Sequence, residues 1–285
     1  MPEQIITSAA NPRLKALVAL RRRRTRDETG TCLVEGLEET TLAVAAGTRL
    51  RSLYVCPELF GAGADELLPR LRAAADEVVR LGRAAFEKVA YREGPDGVLA
   101  VAATPSRPLA GLFADPAADD PAAADPAADA ARSAPLVVLA QGVEKPGNLG
   151  AMLRTADGAG VDALVAADPV TDWGNPNVIR ASKGTVFAVP VAAATTAQVL
   201  AWLEAGGIAL VATTPDTDLE YADVDYTGPI ALAVGAEKTG LTDDVLAAAT
   251  HRVRIPMAGR ADSLNVATSA AIVTYEAVRQ RRLAR

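Results

Sequence analysis

Three stretches hold the side chains best placed to do chemistry: QGVEKPGNLGAMLRTADGAGVDALV (residues 141–165), AVGAEKTGL (233–241) and IPMAGRADSLNVATSAAIVTYE (255–276). The first reads as a polar loop broken by glycines that opens a helix at Asn148, with Leu149, Met152 and Leu153 forming an apolar face beside Arg154, and then a strand at Val161. The other two repeat this layout. In an α/β sheet such loops lie at the carboxyl ends of strands, where glycines let backbone amides approach a ligand and helix N-termini favour anionic groups. Other chemistries lack their parts. One histidine, His251, and two separated cysteines, Cys32 and Cys56, build no obvious zinc site. There is no phosphate-binding Walker loop, nucleophile elbow or dinucleotide GxGxxG.

Taken in order, these stretches resemble the three motifs of the SpoU/TrmH family of RNA 2'-O-ribose methyltransferases, part of the SPOUT superfamily. Asn148, Gly150 and Arg154 match motif one; Gly235, Glu237, Gly240 and Leu241 match motif two; Ile255, Pro256, Met257, Ser263, Leu264, Asn265 and Val266 match motif three. Ala267 departs from the pattern, which has serine there, and Thr268 and Ser269 follow it. The resemblance implies S-adenosylmethionine as cofactor, held by Val234, Gly235, Glu237, Ile255, Pro256, Met257, Ser263 and Leu264. It also implies catalytic roles for Arg154, Asn148 and Asn265, with Arg154 acting on the ribose 2'-hydroxyl and no metal taking part. For the fold, it implies a C-terminal α/β domain of SPOUT type with a trefoil knot and a homodimer interface on the last helix. A small N-terminal α/β domain resembling RNA-binding ribosomal proteins precedes it, and the segments CLVEG and FEKVAYREGPDGVLAVA look like its recurring phrases. Ribosomal RNA is the favoured substrate. Transfer RNA is the alternative, and so is a non-catalytic RNA-binding or ribosome-assembly factor of the same fold.

The residues themselves set the wider frame. A chain of 285 residues, half of them hydrophobic, can fold as two α/β domains with sizeable cores. The absence of an apolar leader or a long apolar span makes the cytoplasm the default and leaves no role for a membrane. The net charge of −6 argues against a nucleic-acid partner until its distribution is considered. Arg13, Lys15, Arg21, Arg22, Arg23, Arg24 and Arg26 form a basic patch near the N-terminus. Asn11 and Pro12 predict a helix over residues 12–24 with the run Arg21 to Arg24 at its C-terminal end, where these cations either complement the helix dipole or contact phosphate. Asn177, Arg180, Ser182 and Lys183 likewise read equally as RNA contacts or as a capped helix with surface charges.

Alternating short apolar and amphipathic runs predict an N-terminal domain over residues 1–103, with Phe86 in its core. Residues 104–134, built largely from alanine, proline and aspartate, predict an extended or disordered linker. A methyltransferase domain is expected over residues 135–285. It opens on the buried strand LVVLAQ, includes TVFAVPV as a strand, and ends on a helix from about Asn265 to Arg282.

Overall fold

The computed structural model describes residues 4–61, 63–113 and 134–285. The chain forms two compact units, the first within Met1–Pro105 and Thr171–Ala188, the second within Ser106–Val170 and Val189–Arg285. The division does not follow the sequence alone, because Thr171–Ala188 lies inside the span expected for the methyltransferase domain yet packs with the first unit.

The first unit is built on a mixed sheet of β1 (Gln4–Ile6), β2 (Thr31–Glu35), β3 (Leu50–Val55), β4 (Val78–Leu81) and β5 (Val98–Ala103), in the order β1-β4-β3-β5-β2. β5 runs antiparallel to both β2 and β3, while β4 pairs in parallel with β1 and β3. The connecting helices are α1 (Pro12–Ala19), α2 (Arg23–Thr29), α3 (Leu37–Ala45), α4 (Ala64–Ala73) and α5 (Arg83–Val89). Leu14, Leu17, Leu20, Leu33, Phe86 and Leu99 belong to one core, so Phe86 is buried as expected.

The N-terminal helix is shorter than its pattern suggested. Asn11 does cap it, accepting from the Arg13 N–H at 2.9 Å, and Pro12 occupies the first turn. The helix nevertheless stops at Ala19, Arg22 is extended, and α2 begins afresh at Arg23. The cause is tertiary: the buried Arg26 guanidinium donates to the free carbonyls of Leu20 (2.9 Å) and Arg21 (2.8 Å) and pairs with Asp172. Those carbonyls need no further helical turn to be satisfied.

The second unit is a six-stranded, wholly parallel sheet in the order β11-β9-β10-β6-β7-β8. Its strands are β6 (Leu136–Gln141), β7 (Ala163–Ala167), β8 (Val191–Ala194), β9 (Ala209–Thr213), β10 (Ile230–Val234) and β11 (His251–Val253). Every residue of β6 and β10 is buried, which is why both read as unbroken apolar runs rather than alternating ones. The helices of the second unit are α6 (Pro146–Ala159), α8 (Thr196–Ala205), α9 (Asp243–Ala248) and α10 (Val266–Leu283). Between α6 and α8 in the chain lies α7 (Pro176–Ala181), which belongs to the first unit. A capping box of Thr195 and Gln198 starts α8. Helix α10 packs on α6 and β10 through Val266, Ala270, Val273, Ala277 and Val278, small or β-branched residues on one stripe.

Chain order decides where a ligand can sit. From β6 the chain steps outward through β7 to β8, crosses to β9, and then inserts β10 between β9 and β6. The carboxyl ends of β6 and β10 therefore flank the point where strand order reverses, the place at which parallel sheets leave a crevice.

Two further expectations need correction. TVFAVPV is not a strand: Thr185–Phe187 is a single 3-10 turn and β8 begins only at Val191. Lys183 (φ 52°) and Gly184 (φ 84°) turn the backbone left-handed, and Pro190 has no N–H for the ladder. The linker does not begin at residue 104, since Leu112 is buried in the core of the second unit and Phe113 stacks on Trp202 with centroids 5.4 Å apart. The alanine- and proline-rich remainder, residues 114–133, lies outside the described residues. Finally, β1, α2, α9 and β11 had no counterpart in the sequence reading. Each is seven residues or shorter, too brief to show a period.

Candidate active site

The loop after β6 turns at Gly142 (φ 62°) and delivers Lys145 as the N-cap of α6 and Asn148 in its first turn. The loop after β10 carries Glu237 and closes on itself, with the Gly240 N–H donating to the Ala236 carbonyl at 2.8 Å. That closure leaves no room at Gly235, where a Cβ would collide with the backbone of Gly240 and Leu241. Asn265 is the N-cap of α10, its Oδ1 accepting from the Ala267 N–H at 2.9 Å.

Side chains from all three stretches meet. With its oxygen committed to the cap, Asn265 presents Nδ2 and donates to Asn148 Oδ1 at 3.2 Å. Asn148 in turn donates through Nδ2 to Glu237 Oε1 at 2.6 Å, and Lys145 Nζ pairs with the other Glu237 oxygen. The Lys145 and Asn148 hydrogen bonds hold the Glu237 carboxyl below its ordinary value. This chain of contacts is exposed to solvent.

Beside it lies a cleft of about 660 Å³ whose walls are the β10 loop, the segment from Asp262 to Val266, Ile255, Met257, and the end of β9 with the turn after it, Thr213 to Asp216. Val234, Gly235, Glu237, Ile255, Met257, Ser263, Leu264 and Asn265 line it, whereas Pro256 does not. Met257 and Leu264 are among the few large apolar side chains left exposed, which suits the wall of a small-molecule site. Ala267 is buried in the first turn of α10 and does not line the cleft, whereas Ser269, one position past Thr268, does.

Sequence reasoning missed two groups. Thr213, Thr214, Pro215 and Asp216 form one wall, and their signal was the Thr-Pro-Asp turn directly after a strand. The second is Gln141, the last residue of β6, buried with 3% exposure. Its Nε2 donates to Thr196 Oγ1 and Thr242 Oγ1, each at 2.8 Å, and its Oε1 accepts from the Thr242 N–H at 2.9 Å. Thr196 Oγ1 in turn donates to Asp168 Oδ2 at 2.5 Å. Thr242 directly follows the cleft-lining Leu241, so Gln141 fixes the far end of the β10 loop from beneath. Nothing in one sequence distinguishes this glutamine from a surface one.

Arg154 does not join the cleft. It lies exposed on α6 and has no hydrogen bond or ion pair among the described residues. Six residues beyond Asn148, it projects about 120° away round the helix and roughly 9 Å along it.

The cations of the first unit are used unequally. Arg21 donates to the carbonyls of Val89 (3.0 Å) and Ala90 (2.8 Å), a structural use rather than a free charge. Arg23 pairs with Asp27 at 3.6 Å, Arg24 with Glu28 at 2.7 Å, and Lys183 with Glu38 at 4.0 Å. Such exposed pairs are weak and exchange readily. Arg22 and Arg180 are exposed and make no pair among the described residues.

Comparison with known proteins accounts for both units. The SpoU rRNA methylase family profile matches residues 135–275, and the profile of an MRM3-like substrate-binding domain matches residues 11–100. A 23S rRNA (uridine(2479)-2'-O)-methyltransferase of Streptomyces viridochromogenes is 34% identical over 94% of this chain and 88% of its own length. The chain belongs to the SpoU methylase family. A second relative, the 23S rRNA (adenosine(1067)-2'-O)-methyltransferase of Streptomyces laurentii, is 30% identical over 97% of this chain and 96% of its own. Among solved structures, the AdoMet-bound rRNA methyltransferase from Sinorhizobium meliloti aligns with a TM-score of 0.82 at 30% identity, covering 97% of both chains. Within this SpoU chain no helix among the described residues is long and apolar enough to cross a membrane, and no cluster of three metal-ligating side chains occurs among them.

Proposed function

We propose that this SpoU-family protein transfers a methyl group from S-adenosylmethionine to a ribose 2'-hydroxyl of ribosomal RNA. The observation that carries the reading is the meeting of Asn148, Glu237 and Asn265, one from each motif, beside a cleft at the reversal point of a parallel sheet.

The residues present fit the cofactor. The self-closed β10 loop, which a side chain at Gly235 would block, offers backbone amides and carbonyls to a nucleoside, while Met257 and Leu264 offer apolar wall. In this reading Val234, Gly235, Glu237, Ile255, Met257, Ser263 and Leu264 hold it, and Pro256 shapes the segment between Ile255 and Met257. S-adenosylmethionine supplies an electrophilic methyl on a sulfonium. The protein's task is then to align the hydroxyl and stabilise the oxygen as it loses its proton. Asn148 and Asn265 hold the two loops in register. Arg154, a permanent cation, orients the hydroxyl and stabilises the developing alkoxide, and the proton leaves to water or a phosphate oxygen. Arg22, Arg180 and the readily exchanged Arg23, Arg24 and Lys183 contact RNA phosphates.

Two finer features of the family belong to the same proposal: a trefoil knot in the C-terminal domain and a homodimer through it. Support for the dimer comes from Arg154, which lies exposed on α6 and does not line its own cleft. A second copy brings such an arginine to the partner's site. Mixing Arg154→Ala with Asn148→Ala chains is then expected to restore activity that neither has alone. The cytoplasm is where such a substrate is met.

The test is incorporation of labelled methyl from S-adenosylmethionine into 23S rRNA and into ribosomal subunits, with digestion to nucleosides. The label is expected in a 2'-O-methylnucleoside and is expected to fall about 100- to 1,000-fold with Arg154→Ala. RNA that is bound yet never methylated, in either substrate form, would sink the catalytic reading and leave a binding factor.

A further inference from the structure

The first unit holds one aromatic ring more firmly than its exposure calls for. Tyr91 is 39% exposed, yet it is fixed from three directions. Its backbone N–H donates to Glu35 Oε2 at 2.6 Å, and the next N–H, of Arg92, donates to the other oxygen at 3.3 Å. Its hydroxyl accepts from Asn177 Nδ2 at 3.0 Å. The Arg21 guanidinium lies over the ring, 5.3 Å from its centroid, and is itself tied down by the Val89 and Ala90 carbonyls.

Arg21 lies over the ring and Asn177 occupies the hydroxyl, yet more than a third of the residue still meets solvent. A tyrosine kept for core packing buries its ring. This one is clamped while still partly open to solvent, which removes the rotamer freedom that a ligand would otherwise have to freeze. The guanidinium behind it adds a cation–π contact. Exposed Arg180 stands three residues beyond Asn177 on α7, and exposed Arg22 follows Arg21 in the chain.

A partly exposed aromatic ring backed by arginine, in a unit that also carries the exposed Arg22 and Arg180, matches the chemistry of an unpaired nucleotide, a flat base with a charged phosphate on either side. We propose that Tyr91 is a stacking platform for one unpaired base of the RNA substrate, with Arg21 as its rear support. The proposal rests on the RNA-substrate reading above. Every base has a π face, so the platform gives affinity and register rather than base identity.

The experiment uses the full-length protein and deproteinised 23S rRNA. Dissociation constants at fixed salt are compared for wild type, Tyr91→Phe and Tyr91→Leu. In parallel, wild-type protein is photocrosslinked to 23S rRNA carrying 5-iodouridine and the attachment residue is mapped by mass spectrometry. Tyr91→Phe, which keeps the ring, is expected to bind within twofold of wild type. Tyr91→Leu is expected to bind about tenfold more weakly, with an unchanged salt slope and unchanged affinity for S-adenosylmethionine, and a crosslink is expected at Tyr91. Wild-type binding that Tyr91→Leu leaves within twofold, or crosslinks that exclude Tyr91, would overturn the platform and leave the methyltransferase reading standing. Failure of the wild type to bind RNA would instead overturn that reading and the platform with it. Should Tyr91→Leu misfold, the crosslink on wild-type protein still decides.

Discussion

Two chains of polar side chains hold the loops at the carboxyl ends of β6 and β10, and they differ in one respect, access to water. The upper chain, Lys145–Glu237–Asn148–Asn265, is exposed. The lower one runs from Asp168 through Thr196 and Gln141 to Thr242, with Gln141 and Thr196 buried. A buried hydrogen bond adds only modestly to stability when made, but leaving its partners unsatisfied is costly. An exposed one exchanges with water at little cost. The lower chain therefore acts as scaffold and the upper chain as adjustable contact, free to exchange partners when ligands arrive.

The largest separation between the two is expected in activity. Asn148→Ala should lower methylation by about 100-fold by loosening the register of the loops, while the melting temperature stays within a degree or two of wild type. A large fall in stability would instead make Asn148 part of the scaffold. Next, Gln141→Leu should destabilise the protein by about 1–3 kcal/mol, because the Thr242 N–H loses its acceptor. Chemical denaturation would report the loss. Calorimetry should show weaker binding of S-adenosylmethionine, since the β10 loop is no longer fixed at Thr242. A Gln141→Leu protein as stable as wild type would break the distinction. A smaller effect is expected from Glu237→Gln, which keeps an acceptor for Asn148 but loses the charge paired with Lys145, and the melting curve should shift down only slightly at neutral pH.

The smallest effect concerns pH. The folded-state carboxyl of Glu237 lies below its ordinary value because Lys145 and Asn148 donate to it. Its contribution is thus complete above the unfolded value of about 4.3 and is lost only as pH falls through the lower folded value. A carbon-detected NMR titration should place the midpoint of this carboxyl below about 4.3. A midpoint above that would mean the Lys145 pair does not persist in solution.

By itself the sequence determined the α/β class, the buried strands β6 and β10, the last helix and the three loops. These are local facts: unbroken apolar runs, caps such as Asn11 and Asn265, and glycines at turns are written within a few residues of where they act. Tertiary structure alone decided the rest. Insertion of β10 beside β6 brings Glu237 to Asn148 across 89 positions, and Asn148 to Asn265 across 117, distances over which no period survives. Arg26 ended a helix that its own neighbours would have continued, because its guanidinium found two carbonyls and Asp172, which is 146 residues away. Thr171–Ala188 joined the first unit through partners such as Tyr91 and Arg26. Gln141 became a scaffold residue only by being buried. Burial and long-range pairing are properties of the folded chain, and a side chain's type does not reveal them until the strands are in order.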